Sequence, residues 1–197
     1  MKIPVLRFAL VLASLGVSRA LAAQEIPDRH AGQWAAEFSG GNFNNIGVMR
    51  FFSPRSALVL SGYGSLSHNT AAPDGSGKRT DNTQSLSLAL GVRRHATVAS
   101  RVLATTELGA NMGLYRSKLT DDGIGSPTSS SQSQTNYGLY GEIGAQYFVA
   151  SHLALGGVLT VNANMYSGRT AGGGSGTDYR GFALSTGLRP IRVTLYF

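Results

Sequence analysis

Side chains between Asn136 and Val149 sort by parity into two chemically opposite sets. Tyr137, Leu139, Gly141, Ile143, Ala145, Tyr147 and Val149 alternate with Asn136, Gly138, Tyr140, Glu142, Gly144, Gln146 and Phe148. A period of two over that length predicts a long β-strand with one apolar face and one polar, glycine-rich face. Strands of water-soluble proteins usually run about five or six residues, whereas a strand tilted through a bilayer needs roughly nine to eleven. This one is long enough to span. Tyr137 and Tyr147 bracket its apolar face about 33 Å apart along the strand, or roughly 24 Å along the membrane normal at a tilt of about 45°, near the spacing of two aromatic girdles.

The same alternation predicts seven further strands, over residues 32–39, 46–52, 57–67, 84–94, 101–117, 153–166 and 178–197. Trp34, Ala36 and Phe38 share a face of the first, and Ile46, Val48 and Arg50 share a face of the second. Residues 42–45 and 53–56 read as tight turns, the second holding Pro54, where proline removes no ladder bond. Residues 95–100 read as a short break, and 68–82, 118–134 and 167–177 as long loops rich in Gly, Ser, Asp and Asn. In the last strand Phe182, Leu184, Thr186 and Leu188 hold one parity, while Ile191, Val193, Leu195 and Phe197 hold the other. An extra residue near Pro190, acting as a β-bulge, would turn both sets to one side. Eight strands with short and long connections in alternation predict an all-β fold, an antiparallel up-and-down transmembrane β-barrel. The brief link at 42–45 departs from that alternation.

Composition adds location. Among 197 residues there are 26 glycines and no cysteine, so small side chains suit a narrow lumen and no disulfide or thiolate site is available. Lys2 and Arg7 precede an apolar run from Phe8 to Leu15 and the small residues Ala20, Ala22 and Ala23, the layout of a cleavable secretory signal peptide. Residues 1–23 are therefore expected to be the signal and 24–197 the barrel, with export to the outer membrane of a Gram-negative-type bacterium. The whole chain carries a net charge of +7, but the departing segment takes three bases with it, and nucleic-acid binding is not expected.

A chain that ends in Ile191, Val193, Leu195, Tyr196 and Phe197 resembles bacterial outer-membrane barrels, in which such a terminal strand is the assembly signal. With the signal peptide and eight strands, the mature chain is similar to the small barrel family typified by OmpX and the transmembrane domain of OmpA. That resemblance implies a monomer of the porin-like class, in contact with outer-membrane lipid, including lipopolysaccharide, and with the barrel-insertion machinery. It fixes a location more firmly than a task, since members include structural proteins, adhesins and small lipid-modifying enzymes.

Candidate chemistry lies first in the polar-face charges Glu37, Arg50, Arg93, Arg101, Glu107 and Glu142. An eight-stranded lumen is just wide enough to be filled by side chains, so these groups are expected to be dehydrated and to pair with one another. Adjacent-strand levels predict an ion pair between Glu37 and Arg50. The expected role of the set is a structural plug, and a narrow channel for small solutes is the alternative. His68, beside Ser67 and in a predicted loop with Asp74 and Asp81, carries the other alternative, a rim enzyme acting on membrane lipid. The four histidines are too scattered for a zinc site, and no cofactor, metal or catalytic residue is expected. Lys78, Arg79, Arg116, Lys118, Arg169 and Arg180 fall where they could meet lipid phosphates. A soluble, lipocalin-type barrel would place the apolar faces inward instead, where they would overfill eight strands.

Overall fold

A computed structural model describes residues 29–40, 45–72, 78–122 and 128–197. The expected signal peptide, Asp74 and the middle of two predicted loops lie outside the described residues. Eight strands follow in chain order: β1 (Trp34–Ser39), β2 (Asn45–Ser53), β3 (Ser56–Ala71), β4 (Arg79–Ala99), β5 (Val102–Asp121), β6 (Thr128–Ala150), β7 (Leu153–Gly172) and β8 (Ser175–Tyr196). Each pairs antiparallel with the next, and β1 pairs with β8 to close the ring. Trp34 and Phe197 exchange backbone hydrogen bonds, so both ends of the barrel chain lie at one mouth, called here the near end.

Parity decides what each strand shows. On β4, Leu86, Leu88, Leu90 and Val92 are exposed, while Gly91, Arg93 and His95 are buried inside. β6 divides in the same way, with Tyr137, Leu139, Ile143 and Tyr147 outward and Tyr140, Glu142, Gln146 and Phe148 buried. The outward residues form a continuous greasy belt that only hydrocarbon can solvate cheaply. Leu108, for example, is 74 % exposed. A lipocalin arrangement would require the reverse.

The near end of the lumen is filled with apolar side chains: Met49, Phe51, Val59, Leu103, Phe148 and Tyr196 form one buried cluster. Phe51 and Phe148 both pack against the Tyr196 ring, at centroid separations of 6.1 and 5.3 Å. Above this floor the interior becomes polar.

Pro190 sits in the expected bulge. Gly156 pairs with Arg192 but Val158 pairs with Arg189, so β8 contributes one more residue than β7 there. Leu188 and Ile191 consequently both face out, and Arg189 and Arg192 both face in.

Three predicted loops are shorter than expected. β3 and β4 stay paired from Ser67 and Thr83 up to Ala71 and Arg79, and β5 and β6 up to Asp121 and Thr128. β7 and β8 meet in a tight turn at Gly173 and Gly174, whose φ values of 59° and 83° are those of a primed hairpin turn that glycine adopts without steric penalty. The reason is that strands rising clear of the belt are polar on both faces, so alternation vanishes while backbone pairing continues. Residues 95–99 are likewise strand, and His95 is buried inside against the Phe51 ring at 5.2 Å, not placed in a turn.

Candidate functional site in the barrel lumen

Directly above the apolar floor, six charged side chains from five strands form one alternating chain across the lumen. Glu107 on β5 accepts from Arg93 Nε at 2.6 Å, and Arg93 on β4 donates onward to Glu37 on β1. Glu37 Oε1 lies 3.0 Å from Arg192 Nε on β8, and Arg192 in turn donates to Glu142 on β6. Arg189 Nη1 completes the run at 3.2 Å from Glu142 Oε1. Three carboxylates meet three guanidiniums, so the layer is neutral. All are buried except Arg189, whose side chain is 36 % exposed.

Hydrogen bonds hold this layer to the wall. The Tyr140 hydroxyl donates to Glu107 Oε1 at 2.5 Å, and Thr160 Oγ1 donates to Glu142 Oε1 at 3.1 Å. Arg93 Nη1 also approaches Met49 Sδ at 3.2 Å, tying the charges to the apolar floor. A dehydrated charge survives only when its partners and geometry compensate for lost water, and here each carboxylate has at least two partners.

Of the residues expected from sequence, Glu37, Arg93, Glu107 and Glu142 are brought together. Arg50 is not. It pairs across from Trp34, points outward, and its guanidinium lies 5.4 Å from the Trp34 ring centroid, a cation–π contact. Glu37 pairs instead with Gly47 in the backbone register, so the predicted Glu37–Arg50 ion pair is corrected to Glu37 with Arg93 and Arg192. Arg101 is buried at the near-end turn before β5, on the other side of Leu103 and Thr105 from the charge layer. Arg189 and Arg192 were not among the expected lumen charges, although a bulge at Pro190 puts both on the inner parity.

Within the terminal strand, Ile191, Leu195 and Phe197 are exposed on the outer face with Val193 half-buried, whereas Tyr196 points inward and donates to Gln146 Oε1 at 2.8 Å. The Ser67–His68 pair does not form a nucleophile and base. Successive residues of β3 face opposite sides, His68 Nδ1 is engaged with Asn82 Oδ1 at 2.5 Å, and Ser67 Oγ accepts from Asn69 Nδ2 at 3.0 Å. Asp81 accepts from Thr83 and Ser117. Among the described residues no three His, Asp or Glu side chains converge as a metal cage.

Over the charge layer lies a cavity of about 250 Å³, bounded below by Glu37, Arg93 and Arg192 and walled by asparagine and serine side chains. Outside, beyond the greasy belt, Arg116, Lys118, Arg169 and Arg180 are exposed at its upper margin. Arg169 and Asp178 are 3.8 Å apart and both solvated, a weak pair.

No protein-family model matches this sequence, and no curated protein matches it. Among solved structures, a major outer membrane protein from Thermus thermophilus is similar in fold, with 17 % identity, 85 % of this chain and 100 % of that one covered, and a TM-score of 0.52. CarO and CarO2 of Acinetobacter baumannii align at 8 % and 11 % identity, covering 85 % and 88 % of this chain and 98 % and 100 % of theirs, with TM-scores of 0.45 and 0.42. The first likeness is one of fold: this chain is an eight-stranded antiparallel barrel of the outer-membrane type.

Proposed function

We propose that this chain is an exported, non-enzymatic outer-membrane barrel, closed to bulk solute flow, that acts through its surface and its far mouth. The observation that carries the closed lumen is the pair of stacked layers, an apolar floor directly beneath a neutral chain of six charges. Each layer alone would impede an ion, the first by lacking water and the second by offering no uncompensated charge. In planar bilayers the purified protein is expected to give no steady large conductance. A stable open pore in the wild-type chain would overturn this reading.

The near end would then face the periplasm, and the long polar parts of β3 to β8 would stand above the outer leaflet. Arg116, Lys118, Arg169 and Arg180, exposed at the belt's upper margin, suit charge-assisted hydrogen bonds to lipopolysaccharide phosphates. Ile191, Val193, Leu195 and Phe197 give the insertion machinery an outward apolar row, and the sealed backbone ring of the near half suits a monomer. Cell fractionation with heat-dependent gel mobility tests residence: the protein should stay with outer membranes after a salt wash and migrate faster unboiled. The rim-enzyme alternative has no geometric support in the arrangement of Ser67 and His68. Lipid hydrolysis by purified protein that disappears in His68→Ala would restore it.

A further inference from the structure

The wall of this barrel is not the same height all round. β1 and β2 pair with one another only as far as Ser39 and Asn45, with residues 40–44 linking them. Their neighbours continue. β3 runs on from Tyr63, its last partner on β2, to Ala71, about 26 Å of strand at roughly 3.3 Å per residue. β8 is paired with β1 only from Arg192 to Tyr196, with one further backbone bond from Gly40 N to Ile191 O, although β8 itself reaches back to Ser175. Above the paired part of β1 and β2, no strand among the described residues lies between β3 and β8, which face one another as two strand edges. On a round wall this gap is about 14 Å, three strand spacings of about 4.8 Å.

Three observations show that the gap opens into the lumen at membrane level. Its lips are part of the greasy belt: Leu66 on β3 and Leu184 and Leu188 on β8 are 84 %, 69 % and 71 % exposed. Ala183, Ser185 and Gly187 have the inward parity of β8 yet are exposed, unlike the inward residues of the same strand below the bulge. A Cβ added to Gly187 would meet nothing within 4 Å, whereas one added to the inward Gly91 or Gly109 would collide with the Tyr140 side chain. Behind the gap lies the cavity above the charge layer, and both lips reach it, Tyr63 from one side and Ser185 and Arg189 from the other.

Bare strand edges at the depth of hydrocarbon must find hydrogen-bond partners, and an acyl chain offers none. The cavity chemistry indicates what kind of group could enter through the gap. Its charges are already paired three to three, and its remaining wall is amide and hydroxyl, including Asn111, Asn136, Asn162 and Asn164. A wall of amides and hydroxyls whose charges are already paired offers hydrogen bonds to hydroxyl groups and no free counter-charge to an ion.

We propose that the gap is a lateral portal through which an amphiphile of the outer leaflet places an uncharged, hydroxyl-rich head group, of the glycolipid class, in the lumen cavity. Its acyl chain stays outside against Leu66, Leu184 and Leu188. The proposal rests on the membrane-embedded reading above. At about 250 Å³ the cavity is near the lower end of the ~300–1,000 Å³ range of ligand pockets, enough for a small head group rather than a whole lipid.

The test uses the mature chain refolded into phosphatidylcholine vesicles doped with an alkyl glucoside that carries a photoactivatable diazirine in its chain. An alkyl phosphate with the same chain serves as comparator. The glucoside should label Leu66, Leu184 and Leu188 several-fold more than Ile143 on the opposite wall, as read by peptide mass spectrometry. Gly187→Trp, built where space is free, should cut that excess to the Ile143 level while keeping the heat-dependent gel shift. Asn111→Leu with Asn164→Leu should also remove it. Even labelling around the belt, an excess that survives Gly187→Trp, or an equal excess with the alkyl phosphate would overturn the proposal. Crosslinked pairs of chains with shielded lips would overturn it too, assigning the edges to a second copy. Absence of label from every outward leucine and from Ile143 would instead remove membrane residence itself.

Discussion

Arg93 is the side chain on which the charge layer turns, because it alone touches both Glu37 and Glu107 and also reaches Met49 below. Replacing it with methionine keeps much of its volume but leaves two buried carboxylates each short of a donor. Breaking a buried pair from one side costs about 3–5 kcal/mol. Arg93→Met should therefore lower stability by that order, read as a fall in the urea midpoint of the protein folded in micelles, and adding Glu37→Gln should cost less than the two single changes together. A full additive loss would show that the two groups do not act as one unit. Gly91 makes a second, steric prediction. A Cβ there would run into the Tyr140 hydroxyl and sit 2.9 Å from Glu107 Oε1 and 3.0 Å from the Leu108 carbonyl oxygen. Gly91→Ala should destabilise by about 1–3 kcal/mol, as overpacking does. Tyr140→Phe in the same chain should recover part of it by removing the oxygen that collides, and failure to recover any would place the strain in the backbone. At this scale much was readable in advance: Glu37, Arg93, Glu107 and Glu142 fall on the polar parity of their strands. Arg50 shares its parity with Ile46 and Val48 and so belongs outside, and its register partner is Trp34 rather than Glu37. Arg189 and Arg192 were legible only through the bulge between them, which changes the parity by one.

Strands carry their own evidence only while the two faces meet different solvents. Through the belt, lipid on one side and lumen on the other enforce alternation, and the eight strands stand out in the sequence. Past Ser67 on β3 or Gln132 on β6 both faces are polar, so Ser129 to Ser133 read as loop although each pairs across to β5 or β7. Backbone hydrogen bonds, which carry no side-chain signature, hold those extensions together. The turn at Gly173 and Gly174 was legible as flexible chain but not as a hairpin, because its meaning depends on the two strands extending to meet it. Register is where one residue has the largest effect. The bulge absorbs one extra residue, so deleting Pro190 would leave Arg189 and Arg192 two positions apart and regular alternation would still hold both guanidiniums inside and the row Ile191, Val193, Leu195 outside. The deletion and Pro190→Ala, which keeps the count and with it the bulge, are both expected to retain the heat-resistant, fast-migrating form on gels. Loss of that form on deletion alone would mean that the bulge itself, and not only the parity it restores, is required.

For the molecule as a whole, the decisive question is which side of the wall meets hydrocarbon, and a charge placed at chosen heights answers it. Ile143 lies on the outer face between Tyr137 and Tyr147, well inside the belt, while Thr135 lies on the same strand and face but just beyond Tyr137. A cation at the bilayer midplane of a barrel's lipid face costs about 2–4 kcal/mol and one near the interface only about 0–1 kcal/mol. Ile143→Arg should thus weaken the protein by that larger amount when unfolded by urea from lipid vesicles, and Thr135→Arg by little. The gradient, more than either value, carries the argument. An arginine on a water-exposed outer wall would be tolerated equally at both heights, and one forced into a packed apolar core would be ruinous at both. Only a wall immersed in a slab of oil between two layers of water makes the cost depend on height along a single strand. Measured in vesicles of thicker hydrocarbon, the cost at position 143 should persist and that at position 135 should rise, because the deeper slab would bring the upper position closer to the oil.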